Sequence, residues 1–152
     1  MRIFRLLALA LALGTLTSAC APALSEETQE IITTPQEQSM TIRITVGSHV
    51  FKADIADSET GRAFIGKLPL TLDMSELNGN EKYCYGVSLP KADTYYASIA
   101  AGDLMLYSGS CLVLFYGPAG GYSYTRIGRL TSTEGLKEAL GTGRVNVSFA
   151  KE

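Results

Sequence analysis

From Met40 onward the chain alternates between apolar and polar residues, breaks off, and resumes. Ile42, Ile44 and Val46 recur at every second position, which sets them on one face of a strand. Gly47-Ser48 makes a turn, and Phe51, Ala53 and Ile55 give the return strand its inward face, so the pair predicts a β-hairpin. Leu70, Leu72 and Met74 repeat the pattern, and Val145, Val147 and Phe149 do so near the end. Between them, residues 101–130 read as strand, turn, strand, loop, strand, with short apolar runs bounded by Gly, Ser and Pro. Cys111 to Phe115 is apolar at every position, which predicts cover on both faces.

Two stretches leave the alternation. Asp57 or Ser58 can cap a helix that buries Ala63, Phe64 and Ile65, runs to about Leu68 and ends at Pro69. Thr131, with Glu134 three residues on, fits a capping box, predicting a second helix to about Leu140 with Gly141 as its stop. Asn78-Gly79-Asn80 is a turn, Lys82 to Gly86 a short strand, and Leu89 to Ser98 a loop. These elements predict a mainly β fold, an eight-stranded closed barrel with two short helices. Pairing the first strand with the last would remove two sheet edges.

The residues before 40 have a different character. Met1 to Arg5 carries two positive charges, and Leu6 to Leu16 is almost entirely Leu and Ala. That run is shorter than the roughly 20 residues a bilayer-spanning helix needs, so residues 1–19 predict a secretory signal peptide. Leu16-Thr17-Ser18-Ala19-Cys20 resembles a bacterial lipoprotein signal, departing from it at Thr17, where Leu is usual. The resemblance implies that Cys20 is lipidated and anchors the protein to the membrane. Plain cleavage near Ala19 or Ala21, releasing a soluble secreted protein, is the alternative. Residues 20–39, rich in Glu, Gln, Ser and Thr, predict a flexible tether. Ile31-Ile32 is its one apolar pair.

Charge narrows the function. The net charge of −2 sums unlike segments: Arg2 and Arg5 belong to the leader, and Glu26, Glu27, Glu30 and Glu37 to the tether. Without them the 40–152 domain is balanced and has no basic run, which argues against nucleic-acid binding. Tyr122, Tyr124 and Arg126 share one face at strand spacing, a candidate contact set in which Arg meets a carbonyl or carboxylate and Tyr supplies flat area. Tyr107 is counted with them, and Asp103 caps its own turn or orients Arg126. The equal alternative is a solvated face with Arg packed over Tyr. Asp73, Ser75, Glu76 and Asn78 are too sparse for a metal loop and read as a hydrogen-bonded turn; no metal or other cofactor is expected. His49, the sole His, reads as a surface residue. In an oxidising compartment Cys84 and Cys111 would form a disulfide or remain two free thiols.

Several strings resemble a bacterial cyclophilin-like domain family: residues 68–83, 101–107, 111–116 and 122–128, with 135–141 also fitting. The resemblance covers nearly all of residues 40–150 and implies an eight-stranded barrel with helices closing its ends. The related cyclophilins are peptidyl-prolyl isomerases that use an Arg beside a proline pocket. The motif around that Arg is not present, and Arg126 is its nearest chemical equivalent. The expectation is an extracytoplasmic domain that binds a peptide or small molecule in a barrel groove. A prolyl isomerase and a structural envelope component are the alternatives.

Overall fold

The structure, a computed structural model, describes residues 40–152. The predicted signal peptide, Cys20 and the predicted tether lie outside the described residues. Nine strands and two helices follow in order: β1 (Met40–Val46), β2 (His49–Ile55), α1 (Glu59–Gly66), β3 (Leu70–Leu77), β4 (Glu81–Tyr85), β5 (Thr94–Tyr96), β6 (Asp103–Tyr107), β7 (Cys111–Phe115), β8 (Tyr122–Leu130), α2 (Leu136–Leu140) and β9 (Val145–Lys151).

Eight of the strands close an antiparallel barrel in the order β2-β1-β9-β3-β4-β7-β6-β8, with β8 pairing back onto β2. The first and last strands pair as the sequence predicts, Ile44 opposite Phe149 and Val46 opposite Val147. Closure at β2–β8 depends on Gly128, which faces Ile55. A Cβ there would sit 2.4 Å from the Asp54 carbonyl oxygen, so any side chain would push the two strands apart. β5 stands outside the ring. It lies in the segment predicted as a loop and pairs with the overhanging start of β8, Thr94 opposite Tyr124. Three residues are too few for alternation to show in the sequence.

The interior follows the alternating positions. Ile42, Ile44, Met74, Leu104, Leu106, Leu112, Leu114, Val147 and Phe149 are all fully buried. α1 adds Phe64, whose ring meets Phe149 edge-on at 5.7 Å. Ser58 caps α1, accepting a hydrogen bond from the Gly61 N–H, and the helix ends at Gly66, two residues earlier than expected. α2 adds Leu136 and Leu140 to the same core. The capping box before α2 does not form. Gly135 in the left-handed conformation starts the helix, Thr131 donates to the Lys52 carbonyl, and Ser132 accepts from the Glu134 N–H. Tertiary pairing of Thr131 with β2 outcompetes the local cap.

β7 is buried along its whole length, as its composition predicts, but its two faces enter different cores. Leu112 and Leu114 point into the barrel. Cys111, Val113 and Phe115 point outward into a second cluster with Ile99, Met105 and Tyr124, with Tyr83, Tyr96 and Ala119 packed against it. That outer cluster carries the candidate site.

Candidate functional site

The outer faces of β4, β7, β6 and β8 form a trough. Register places Tyr83 opposite Val113 and Tyr85 opposite Cys111 on one side, and Met105 opposite Val113 and Tyr107 opposite Cys111 on the other. The middle strand thus offers small side chains while its neighbours carry tyrosines, and a groove results. Its cavity of about 400 Å³ is lined by Tyr83 and Tyr85 along one wall and by Tyr107, Tyr122 and Tyr124 along the other. Leu77, Asn80, Glu81, Ala119 and Gly120 close one end. Gly120 permits that closure by close approach, since a Cβ on it would lie 2.2 Å from the Ala97 carbonyl oxygen.

The tyrosines hold one another. Tyr83 and Tyr85 meet edge to face at 5.8 Å, Tyr107 and Tyr124 lie 5.5 Å apart, and Tyr124 stands on Phe115 at 5.6 Å. Burial pushes the Tyr124 phenol up to about 12 and the Cys111 thiol up to about 11, and the Glu81 charge adds to both. Both groups are therefore protonated at neutral pH. Glu81 is itself only 7 % exposed, and burial raises its carboxyl above the ordinary glutamate range.

The predicted contact set divides. Tyr107, Tyr122 and Tyr124 line the groove; Arg126 and Asp103 do not. A bulge between Leu104 and Met105 aligns Arg126 with Met105, and the guanidinium lies 5.3 Å over the Tyr96 ring. Asp103 starts β6 and accepts a hydrogen bond from the Ala100 N–H, the predicted cap. It also lies 3.8 Å from Arg126 and 3.7 Å from Arg129, in ion pairs longer than a hydrogen bond. The arginine that the isomerase analogy requires is thus occupied by Asp103 and Tyr96.

Three other expectations resolve. Cys84 and Cys111 are free thiols, not a disulfide. Cys111 pairs with Tyr85 and Leu112 with Cys84, so alternation sends the two sulfurs to opposite faces of the sheet. Asp73 binds Arg144 at 2.6 Å, and Glu76 binds Lys82 at 2.9 Å and the Gly143 N–H at 2.7 Å, so these carboxylates serve separate ion pairs. His49 is exposed on β2 with its ring stacked by Phe51 at 6.4 Å.

Sequence reading missed Tyr83, Tyr85 and Glu81. The signal was the two-residue spacing of Glu81, Tyr83 and Tyr85, which puts the tyrosines on one face of the predicted strand and Glu81, just before its predicted start, on that same face.

A profile of the cyclophilin-like family matches residues 44–150. The chain belongs to the cyclophilin-like family. The match spans all eight barrel strands and both walls of the groove. Among solved structures, the barrel is similar to the solution structure of a hypothetical protein from Archaeoglobus fulgidus, with 22 % identity and a TM-score of 0.58 over 75 % of this chain and 95 % of that one. At that identity the likeness speaks for the fold alone. No curated protein matches the chain.

Proposed function

We propose that this cyclophilin-like chain is a ligand-binding protein of the bacterial cell envelope, and that a peptide or small molecule occupies the tyrosine groove. One observation carries the reading. Six large apolar or aromatic side chains are exposed among the described residues, and four of them, Leu77, Tyr85, Tyr107 and Tyr122, line this one groove. Scattered exposed side chains are ordinary, but a converging set marks a contact surface. The cavity also falls within the range of about 300–1,000 Å³ usual for small-molecule sites.

The groove supports a binding reading: it presents flat contact area and a carboxylate, and among the described residues no arginine lines it. The envelope address rests on the basic start, the short apolar run and Cys20, which together support lipid anchoring with residues 20–39 as tether. Labelling with a radioactive fatty acid in a bacterial host should mark the wild-type chain and not Cys20→Ala.

The groove reading is tested on the full chain in non-ionic detergent. The chain has eight tyrosines and no tryptophan, so tyrosine emission reports mainly on the groove. A panel of short peptides and fragments should contain members whose binding changes that emission and weakens about tenfold in Tyr122→Ala or Tyr85→Ala. Binding that both variants leave untouched would place the site elsewhere.

A further inference from the structure

The charges around the groove are lopsided. Glu81 is 7 % exposed, lines the cavity, and makes no hydrogen bond or ion pair with another described residue. Beside it Asn80 donates from Nδ2 to the Pro118 carbonyl at 2.8 Å, while its Oδ1 is buried without a donor. Both unpartnered groups are acceptors. No Lys, Arg or His lines the cavity among the described residues. The nearby cations Lys82 and Arg126 are committed elsewhere. Lys82, next in sequence, points to the barrel interior and binds Glu76 at 2.9 Å and the Gly143 carbonyl at 2.7 Å. Arg126 lies beside Asp103.

A carboxylate largely withdrawn from water and without a partner is costly, and proteins normally supply one. Here the fold instead opens it to a cavity that five tyrosines also line, and aromatic ring faces attract positive charge. A neutral donor would hydrogen-bond Glu81 without offsetting its charge, and an anion would be repelled by it. A cation bearing N–H donors meets both demands, pairing with the carboxylate while the rings take its apolar body.

We propose that the groove takes a small organic cation, a primary alkylammonium or guanidinium group. Its charged end sits on Glu81, and its body lies between the β4 tyrosines and those of β6 and β8. The inference rests on the groove reading above and names its ligand class. Glu81 is the counter-ion, and Tyr83, Tyr85, Tyr107 and Tyr124 form the cage.

N-acetylargininamide and its uncharged isostere N-acetylcitrullinamide are titrated into the full chain, followed by tyrosine emission. The arginine compound should bind at least about tenfold more tightly. Glu81→Gln should erase that preference, and a thermal melt shows whether the variant is folded. If it is not, the isostere comparison in the wild-type chain decides alone. Arginine flanked by glycines in a pentapeptide identifies the source. Tighter binding than the free compound points to a peptide-borne side chain, and weaker binding to a free amine; either supports the cation site. Equal binding of the isosteres, or tighter binding of N-acetylglutamate, overturns the inference. If N-acetyltyrosinamide then binds in a Tyr122-dependent way, the groove reading survives without it. If no compound of the panel does, both fall.

Discussion

Strand β4 places two charged side chains next to each other in sequence and treats them in opposite ways. Lys82 points into the barrel, is fully buried, and has two oxygen partners within 3 Å together with the Tyr116 ring at 5.7 Å. Glu81 points outward, is nearly as buried, and has none among the described residues. The interior of a closed barrel must satisfy every polar group from within, and Glu76 stands directly across the ladder from Lys82 to do so. The outer face is under no such demand where a cavity leaves the carboxylate open to a ligand. One side of the strand is satisfied by the chain itself, and the other is left open to the cavity.

The same contrast runs along β7 and gives the largest expected effect. Leu112 is fully enclosed by the barrel core, so Leu112→Ala leaves a sealed cavity and should cost about 3 kcal/mol in denaturant unfolding. Val113 is almost as buried but lines the groove, and it loses fewer atoms. Val113→Ala should cost clearly less and should change ligand affinity instead. Equal stability costs would mean that the outer cluster is sealed as tightly as the inner one.

A pair of matched carboxylate substitutions sharpens the comparison further. Glu76→Gln leaves Lys82 charged and buried without its counter-ion, which should destabilise strongly, and adding Lys82→Met should restore much of the loss. Glu81→Gln removes an unpaired charge and should leave unfolding stability unchanged or raised. The pH profiles should separate in sign as well. The hydrogen bond from Lys82 holds the Glu76 carboxyl below the ordinary glutamate range. Its contribution is therefore present above that range and lost as pH falls through the lowered folded value. Burial raises Glu81, so the folded state binds its proton more tightly than the unfolded chain. That stabilises at low pH and fades as pH rises through the raised value. Stability measured against pH in the two variants should lack opposite limbs of the wild-type curve. Identical curves would erase the distinction between the faces.

The sequence made one face of this barrel far more legible than the other. Inward residues had to be apolar at every second position, and Ile42, Ile44, Met74, Val147 and Phe149 declared themselves by that rule alone. The hairpin turns at Gly47 and at Asn78-Gly79 were equally plain, because each takes a positive φ. The groove obeys no comparable rule. Its walls come from four strands brought together by a register in which β4 lies beside β7 and β7 beside β6, and only Tyr107, Tyr122 and Tyr124 were singled out in advance. Arg126 stood on the same strand face as the two β8 tyrosines, yet it ended outside the groove. A one-residue bulge at Leu104/Met105 and the buried Asp103 fixed its place, and neither leaves a local signature. The cysteines failed as a pair for the same reason: spacing along the chain says nothing about which faces two residues occupy once their strands are aligned.

Cys111 offers the smallest effect and the finest reading of the outer face. Its thiol sits on the groove floor, and burial, with the Glu81 charge adding to it, pushes it up to about 11. The thiolate is the reactive form, so alkylation by iodoacetamide at pH 8 should run at about one thousandth of the fully ionised rate. The rate should climb roughly tenfold per pH unit until the thiol titrates. Glu81→Gln removes one of the negative charges that disfavour the thiolate and should speed the reaction modestly at fixed pH. A cation bound over Glu81 has two opposing influences: it offsets that negative charge, but it also covers the floor. Steric cover should win, so N-acetylargininamide should slow alkylation of Cys111. Mass spectrometry of the modified peptide distinguishes this cysteine from Cys84, which faces the barrel side of β4. A ligand that accelerated the reaction would sit near Glu81 without entering the trough, and the occupied volume would then lie at the covered end by Asn80 and Gly120.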